Sequence, residues 1–124
     1  MWDGINRRKF PRANYQCRIF IKEMNATEPI STMTENVGAG GICVILAKDL
    51  GLFKEVSLEV SLEDNQPPIS SPGTVVWVVK KRPDKKGEPY MYDTGIEFID
   101  LDDKNKERLL KIVNSILKKE AYST

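Results

Sequence analysis

An alternation of apolar and polar residues with a period of two runs through most of this 124-residue chain and limits its possible folds more than any other feature. It is strictest in residues 55–62, where Val56, Leu58 and Val60 fall on one face and Glu59 falls on the other. Successive side chains of a strand point to opposite faces, so this pattern predicts a half-buried β-strand. Other strand-like runs occupy residues 15–22, 74–80 and 90–99.

Clusters of turn-forming residues separate these runs, most clearly at residues 63–68 and 81–89. About six short strands with turn signals roughly every ten residues predict a small antiparallel barrel or sandwich over residues 14–100. The run at residues 74–80 is nearly all apolar and β-branched, which predicts a central strand covered on both faces, with Trp77 in the core. The pattern does not give the order in which the strands pair.

The period changes near the end of the chain, where residues 102–119 are predicted to form an amphipathic helix. Asp100 or Asp102 is the expected N-cap, because a carboxylate can accept from the free N–H groups of the first helical turn. We expect the apolar stripe to cover one end or side of the strands rather than to dock a partner. The stripe consists of Leu109, Ile112, Val113, Ile116 and Leu117.

The composition limits the chemistry available to the chain. It contains no histidine and two cysteines, and its formal net charge is +1. Without histidine the usual Ser–His and Cys–His pairs cannot form, and two cysteines cannot close a tetrahedral zinc site. Cys17 and Cys43 lie in apolar strand-like runs, so we expect buried free thiols. The sequence therefore predicts that the protein is not an enzyme and has no metal or cofactor.

The length predicts one domain spanning residues 1–124. No signal peptide is recognisable, and no apolar stretch is long enough to span a membrane. We therefore expect a cytoplasmic protein, in keeping with its unpaired thiols.

The N-terminal part is basic and carries three arginines within six residues, at Arg7, Arg8 and Arg12. Because Pro11 disfavours helix before it, we interpret residues 1–13 as a flexible basic arm. A guanidinium can bind phosphate, or the O6/N7 edge of guanine, through two hydrogen bonds. A solvated basic tail would explain the charge alone.

A glycine-rich turn at residues 36–41 follows between two strand-like runs. Asn36 can both donate to and accept from a base edge, while Gly38 and Gly41 permit close backbone approach. A β-like run follows Gly41, so no helix begins there to hold a phosphate as in a Rossmann fold or P-loop. A plain β-turn is the alternative. Together the arm and the turn would suit a ligand that carries both guanine and phosphate.

The two elements resemble the signature of the PilZ domain, the bacterial receptor module for the second messenger cyclic di-GMP. That signature is Arg-x-x-x-Arg followed, after a spacer, by Asp/Asn-x-Ser-x-x-Gly. Arg8, Arg12, Asn36 and Gly41 match it, whereas Gly38 stands where the family has serine. The resemblance extends over residues 6–117 and includes two later strand-like segments, residues 73–78 and 95–101.

The resemblance implies a mainly β fold, a six-stranded antiparallel Greek-key-like barrel with a C-terminal α-helix. It also implies a non-catalytic receptor in which ligand binding orders the arm and changes the surface offered to an unidentified downstream protein. A basic residue at the position of Arg7 accompanies binding of a ligand dimer in the family, which predicts two cyclic di-GMP per chain. The implied ligand-binding residues are Arg7, Arg8, Arg12, Asn36, Gly38 and Gly41.

Two other functions remain open at this point. The first is a PilZ-fold adaptor that binds no nucleotide and acts by protein contact, since Gly38 lacks the serine hydroxyl. One neutral hydrogen bond is worth about 0.5–1.5 kcal/mol, so we expect this change to weaken binding by roughly tenfold at most. The second is binding of single-stranded nucleic acid, which calls for stacking aromatic residues beside a basic groove. The arm supplies only Phe10, with Tyr15 just beyond, so nucleic acid is not the expected partner.

Overall fold

The computed structural model describes residues 11–122, with residues 121 and 122 described by their backbone alone. This part of the chain forms seven β-strands and one α-helix. In chain order they are β1 (Arg12–Asn14), β2 (Arg18–Glu23), β3 (Ile30–Gly38), β4 (Gly41–Leu46), β5 (Glu55–Ser61), β6 (Ile69–Lys81), β7 (Met91–Phe98) and α1 (Asp103–Tyr122).

Six of the described strands close into an antiparallel barrel in the order β3, β2, β5, β6, β7, β4, and pairing of β3 with β4 completes the ring. Strands β5, β6 and β7 are linked by hairpins, and β4 lies beside β7, which is the Greek-key arrangement. Strand β1 lies outside the ring and pairs with the end of β3. The mainly β fold expected from the sequence, a six-stranded antiparallel Greek-key-like barrel with a C-terminal helix, is confirmed.

The barrel interior is filled by the apolar side chains that alternate along its strands. Val56, Leu58 and Val60 of β5 are all buried, as the alternation predicted. Burying one such side chain stabilises the fold by about 1.5–3 kcal/mol, so the strand register is strongly specified. Other side chains without exposed area include Ile19, Ile21, Val37, Val44, Val75 and Ile96.

Helix α1 covers the side of the barrel formed by β1 and β3. Leu109 and Val113 are fully buried there, and the other stripe residues pack against the same core. Of the two candidate caps Asp102 is the one used, because its Oδ1 accepts the N–H of Asn105 at 2.8 Å. No helix within residues 11–122 is long and apolar enough to cross a membrane.

One boundary and one burial prediction differ from the sequence-based expectation. The segment predicted as an arm, residues 1–13, ends in ordered structure, because Arg12 and Ala13 belong to β1. Ala13 is buried in the core, which ties this strand to the barrel. Residues 1–10 lie outside the described residues. The prediction that residues 74–80 are covered on both faces is wrong at the distal end of β6, where Val79 is 52% exposed.

Candidate ligand-binding face

The pairing of β1 with β3 brings together two elements that are 24 residues apart in sequence. Arg12 is opposite Gly38, and Asn14 is opposite Asn36. Paired residues share a face of the sheet. The Arg12 Nη1 atom lies 3.5 Å from the Asn36 Oδ1 atom, at the long limit for a hydrogen bond. Arg12 and Asn36 therefore meet on the outer face of the barrel.

A β-bulge turns Asn36 toward that face. Thr34 is fully buried, and strict alternation would point residue 36 inward as well. The pairing of β3 with β4 shifts register between Thr34 and Asn36, so Glu35 is the extra residue. After the shift Asn36 points outward and Val37 enters the core. Bulges often redirect side chains near functional sites.

Gly38 allows β1 to lie against β3. A Cβ atom at this position would be 2.7 Å from the carbonyl oxygen of Pro11 and 3.0 Å from Cγ of Arg12. The first distance is too short for any real Cβ contact, so a larger residue would displace β1. The missing serine hydroxyl is thus only part of what glycine changes here. Gly38 also sets the position of Arg12.

Gly41 lies opposite Glu97 in the pairing of β4 with β7. A Cβ atom here would collide with the carbonyl oxygen of Ile96 and lie 3.1 Å from Cα of Glu97. Close packing of two barrel strands therefore requires glycine at this position, whether or not a ligand approaches it.

An open pocket of about 590 Å³ occupies the outer face beside Asn36. Such a volume lies in the range of small-molecule sites, which run from about 300 to 1,000 Å³. Its floor contains Cys43, which lies opposite Asn36 in the pairing of β3 with β4. The other lining residues are Asn14, Tyr15, Gln16, Glu35, Asn36, Ile45, Lys81 and Asp93. Of the residues predicted to bind the ligand, Asn36 lines this pocket, and Arg7 and Arg8 lie outside the described residues. Arg12, Gly38 and Gly41 are described but do not line it.

Cys43 and Asp93 form a contact that the sequence did not reveal. The Cys43 Sγ–H donates to Oδ1 of Asp93 at 3.1 Å, and Oδ2 of Asp93 lies 3.8 Å from Nζ of Lys81. Burial, and then the hydrogen bond to Asp93, raises the pKa of Cys43 to about 12. The thiol therefore keeps its proton and acts as a hydrogen-bond donor at neutral pH. Cys17 and Cys43 are both free and buried, as expected.

Trp77 lies on the same outer face, so its predicted place in the core is wrong. Its indole rests on Gly95, where a Cβ atom would collide with the ring. Gly95 is also the partner of Cys43 in β4, so the indole lies one strand beyond the pocket floor. A register shift between Val75 and Trp77 reverses the alternation of β6 and turns the indole outward.

A family model for the PilZ domain matches residues 6–115. This chain belongs to the PilZ domain family. The match includes the arginine-rich segment, the glycine-rich turn and most of α1. No protein of curated function matches the chain significantly.

Solved structures share its fold. The inhibitor of motility MotI/DgrA of Bacillus subtilis superposes with a TM-score of 0.67 at 20% identity, over 95% of this chain and 53% of that one. The PilZ domain of YcgR from Escherichia coli, solved with c-di-GMP, gives 0.68 at 12% identity, over 94% and 96%. MrkH of K. pneumonia in its apo state gives 0.76 at 14% identity, over 100% and 55%. The chain thus spans about half the length of MotI/DgrA and MrkH. At these identities the similarity shows the fold alone.

Proposed function

We propose that this protein is a non-catalytic, cytoplasmic receptor for cyclic di-GMP, and that the ligand binds on the outer face beside β1 and β3. The observation that carries the proposal is the contact of Arg12 with Asn36, which lines the polar pocket. Membership of the PilZ family supports the ligand class. So do the structural similarities to the YcgR domain and to MrkH, both solved with c-di-GMP.

The side chains at this face suit the two chemical groups of the ligand. Cyclic di-GMP carries two phosphates and two guanines. Arg12 can bind two oxygens of a phosphate group, or the O6/N7 edge of guanine, through two hydrogen bonds. Asn36 can donate and accept on a guanine edge, since its amide carries both functions.

The charge of the pocket supports a role for the basic arm in ligand binding. Glu35 and Asp93 place two negative charges in its lining, against one positive charge from Lys81. Arg12 adds a second positive charge next to the lining residue Asn36. More positive charge would favour a ligand with two phosphates, and Arg7 and Arg8 precede β1 by a few residues. In this proposal the two arginines supply that charge, and ligand binding orders the arm over the pocket.

The proposal also covers how ligand binding is passed on to a partner and how many ligands bind. Ordering of the arm changes the surface beside β1 and α1, which a downstream protein partner would then recognise. The basic residue at position 7 leads us to propose two cyclic di-GMP per chain.

An adaptor that binds no nucleotide is the second candidate function. The packing at Gly38 and Gly41 favours it, because contacts between strands account for both glycines without a ligand. The Arg12–Asn36 contact favours the receptor instead.

Isothermal titration calorimetry tests the receptor function. Cyclic di-GMP is titrated into the wild type and Arg8→Ala, with Arg18→Ala as the matched control. Arg18 is exposed on β2 and hydrogen-bonds Ser31, away from the pocket. We expect saturable binding by the wild type and the control, two ligands per chain, no binding by Arg8→Ala, and no heat with GTP. A ratio of one would contradict the stoichiometry alone. Absence of heat with the wild type at tens of micromolar protein would favour the adaptor.

A further inference from the structure

We propose that Asp93 is the residue through which this protein distinguishes guanine from adenine, and that the Cys43 thiol holds the Asp93 carboxylate in place. The inference rests on the proposed function and adds a specificity residue outside the PilZ signature given above.

Asp93 lies on the same outer face as Asn36, across the pocket floor. In β4, Cys43 is opposite Asn36 and Ile45 is opposite Asp93. Both polar side chains line the same pocket, with Cys43 between them. The Asp93 side chain retains 25% of its exposure, so part of the carboxylate faces the open space. A base that contacts Asn36 over Cys43 would therefore bring one edge toward Asp93.

The chemistry of the two bases makes a carboxylate selective. The Watson–Crick edge of guanine carries two neighbouring donors, N1–H and the N2 amino group. A carboxylate only accepts, and its two oxygens can receive both donors. Adenine presents the N1 lone pair at the corresponding place, which a carboxylate repels. Asn36 cannot impose this selection alone, because its amide can rotate to donate or to accept.

Two carboxylates line the described pocket, and their surroundings differ. Glu35 is the exposed bulge residue of β3, and its longer side chain loses more rotamer freedom when it is fixed. Asp93 is half-buried and already held by the Cys43 Sγ–H and by Lys81. A held acceptor loses less conformational entropy when it meets the base. The geometry therefore favours Asp93 as the selective group.

Cys43 is a positioning residue in this arrangement. Cys43 is 4% exposed, and its thiol donates to Oδ1 of Asp93 while Oδ2 lies 3.8 Å from Nζ of Lys81. A carboxylate has about four lone pairs, so each oxygen keeps one that can accept from a base. A serine hydroxyl at position 43 could replace the donor, whereas alanine could not.

The test compares the affinities of cyclic di-GMP and cyclic di-AMP, measured by calorimetry. For Asp93→Asn we expect cyclic di-GMP to bind roughly ten- to a hundredfold more weakly, since charge-assisted hydrogen bonds are lost. The ratio of cyclic di-GMP affinity to cyclic di-AMP affinity should fall in the same variant. Glu59→Gln is the matched control, because it removes an exposed carboxylate on β5, outside this pocket. Asp93→Ser provides a second variant, and thermal unfolding verifies that each one folds.

The outcomes separate the two proposals. If the wild type binds cyclic di-GMP and Asp93→Asn keeps the same affinity ratio, the specificity role is wrong and the receptor function stands. If the wild type binds no cyclic di-GMP, the receptor function is wrong and the specificity role falls with it. Cys43→Ser should keep the wild-type ratio, whereas Cys43→Ala should lower it. Equal ratios in these two variants would overturn the positioning role of the thiol.

Discussion

Two arginines of this barrel lie in contrasting surroundings. Arg108 of α1 donates twice to Asp64, with Nε–Oδ2 and Nη2–Oδ1 distances of 2.8 and 2.9 Å, and once to Asn105 at 3.1 Å. Arg12 contacts Asn36, which lines the open pocket, at 3.5 Å. The first arrangement is short and bidentate, and it ties α1 to the loop between β5 and β6. The second is a single contact at the long limit for a hydrogen bond, between two residues that we propose bind the ligand.

The largest expected effect comes from exchanging the two arginines for alanine in turn. Arg12→Ala should lower cyclic di-GMP affinity more than a hundredfold, because two charge-assisted hydrogen bonds contribute about 3–6 kcal/mol. Arg108→Ala should leave affinity unchanged and lower the free energy of unfolding by about 1 kcal/mol. Calorimetry and denaturant unfolding of both variants measure the two quantities. Full affinity in Arg12→Ala would contradict the division of roles between the two arginines.

A second prediction concerns the glycine that places Arg12. Gly38→Ala and Gly38→Ser should each lower the free energy of unfolding by about 1–3 kcal/mol, because their Cβ atoms press on the Pro11 carbonyl oxygen. The two variants share the Cβ atom and differ in the hydroxyl. Their comparison therefore separates the steric effect of the Cβ atom from the effect of the hydroxyl on ligand binding. Calorimetry should show no gain in cyclic di-GMP affinity for serine over wild type. A tenfold gain with unchanged stability would mean that the hydroxyl alone matters.

The smallest expected effect is the pH dependence of the structural pair. The hydrogen bonds from Arg108 hold the pKa of Asp64 below its ordinary value. A carboxyl group whose pKa is lower in the folded state contributes stability above its unfolded pKa, and this contribution is lost as the pH falls. Between about pH 6 and pH 3 the wild type should lose up to about 1 kcal/mol more than Asp64→Asn.

Thermal unfolding across this pH range measures the difference. Asp84→Asn, in the exposed loop between β6 and β7, is the control and should follow the wild type. An identical acid dependence of Asp64→Asn and wild type would show that the short Arg108–Asp64 contacts carry no net stability.

The strand pattern predicted the fold class because burial acts on each strand separately. Residues 55–62 alternate so strictly that only one face can enter the core. The apolar side chains of that face, Val56, Leu58, Val60 and Leu62, are buried as expected. The helical stripe that includes Leu109 and Val113 is equally clear. The Arg8, Arg12, Asn36 and Gly41 spacing indicated the family before any fold was known. The strand and helix patterns are local in sequence, and the family signature requires only certain residue types at fixed spacings along the chain. None of them depends on which strands pair.

The composition of the pocket could not be predicted in the same way. Asp93 follows Tyr92 in a run that looks like any half-buried strand, and nothing in the chain signals that it lies beside Cys43, 50 residues earlier. Their contact depends on which strand becomes the neighbour of β4. The sequence pattern did not give the order in which the strands pair. In the closed barrel β7 is the neighbour of β4.

By itself the sequence determined the strands of the barrel ring, the helix, the buried thiols and the basic N-terminal segment. The tertiary structure decided which side chains share the outer face. Asn36 and Trp77 both point outward because one extra residue is inserted before each of them, relative to the partner strand. A bulge is defined by pairing with a neighbouring strand, so the alternation within one strand does not reveal it. Because each bulge reverses the alternation, it moves a side chain from the core to the face where we propose that the ligand binds.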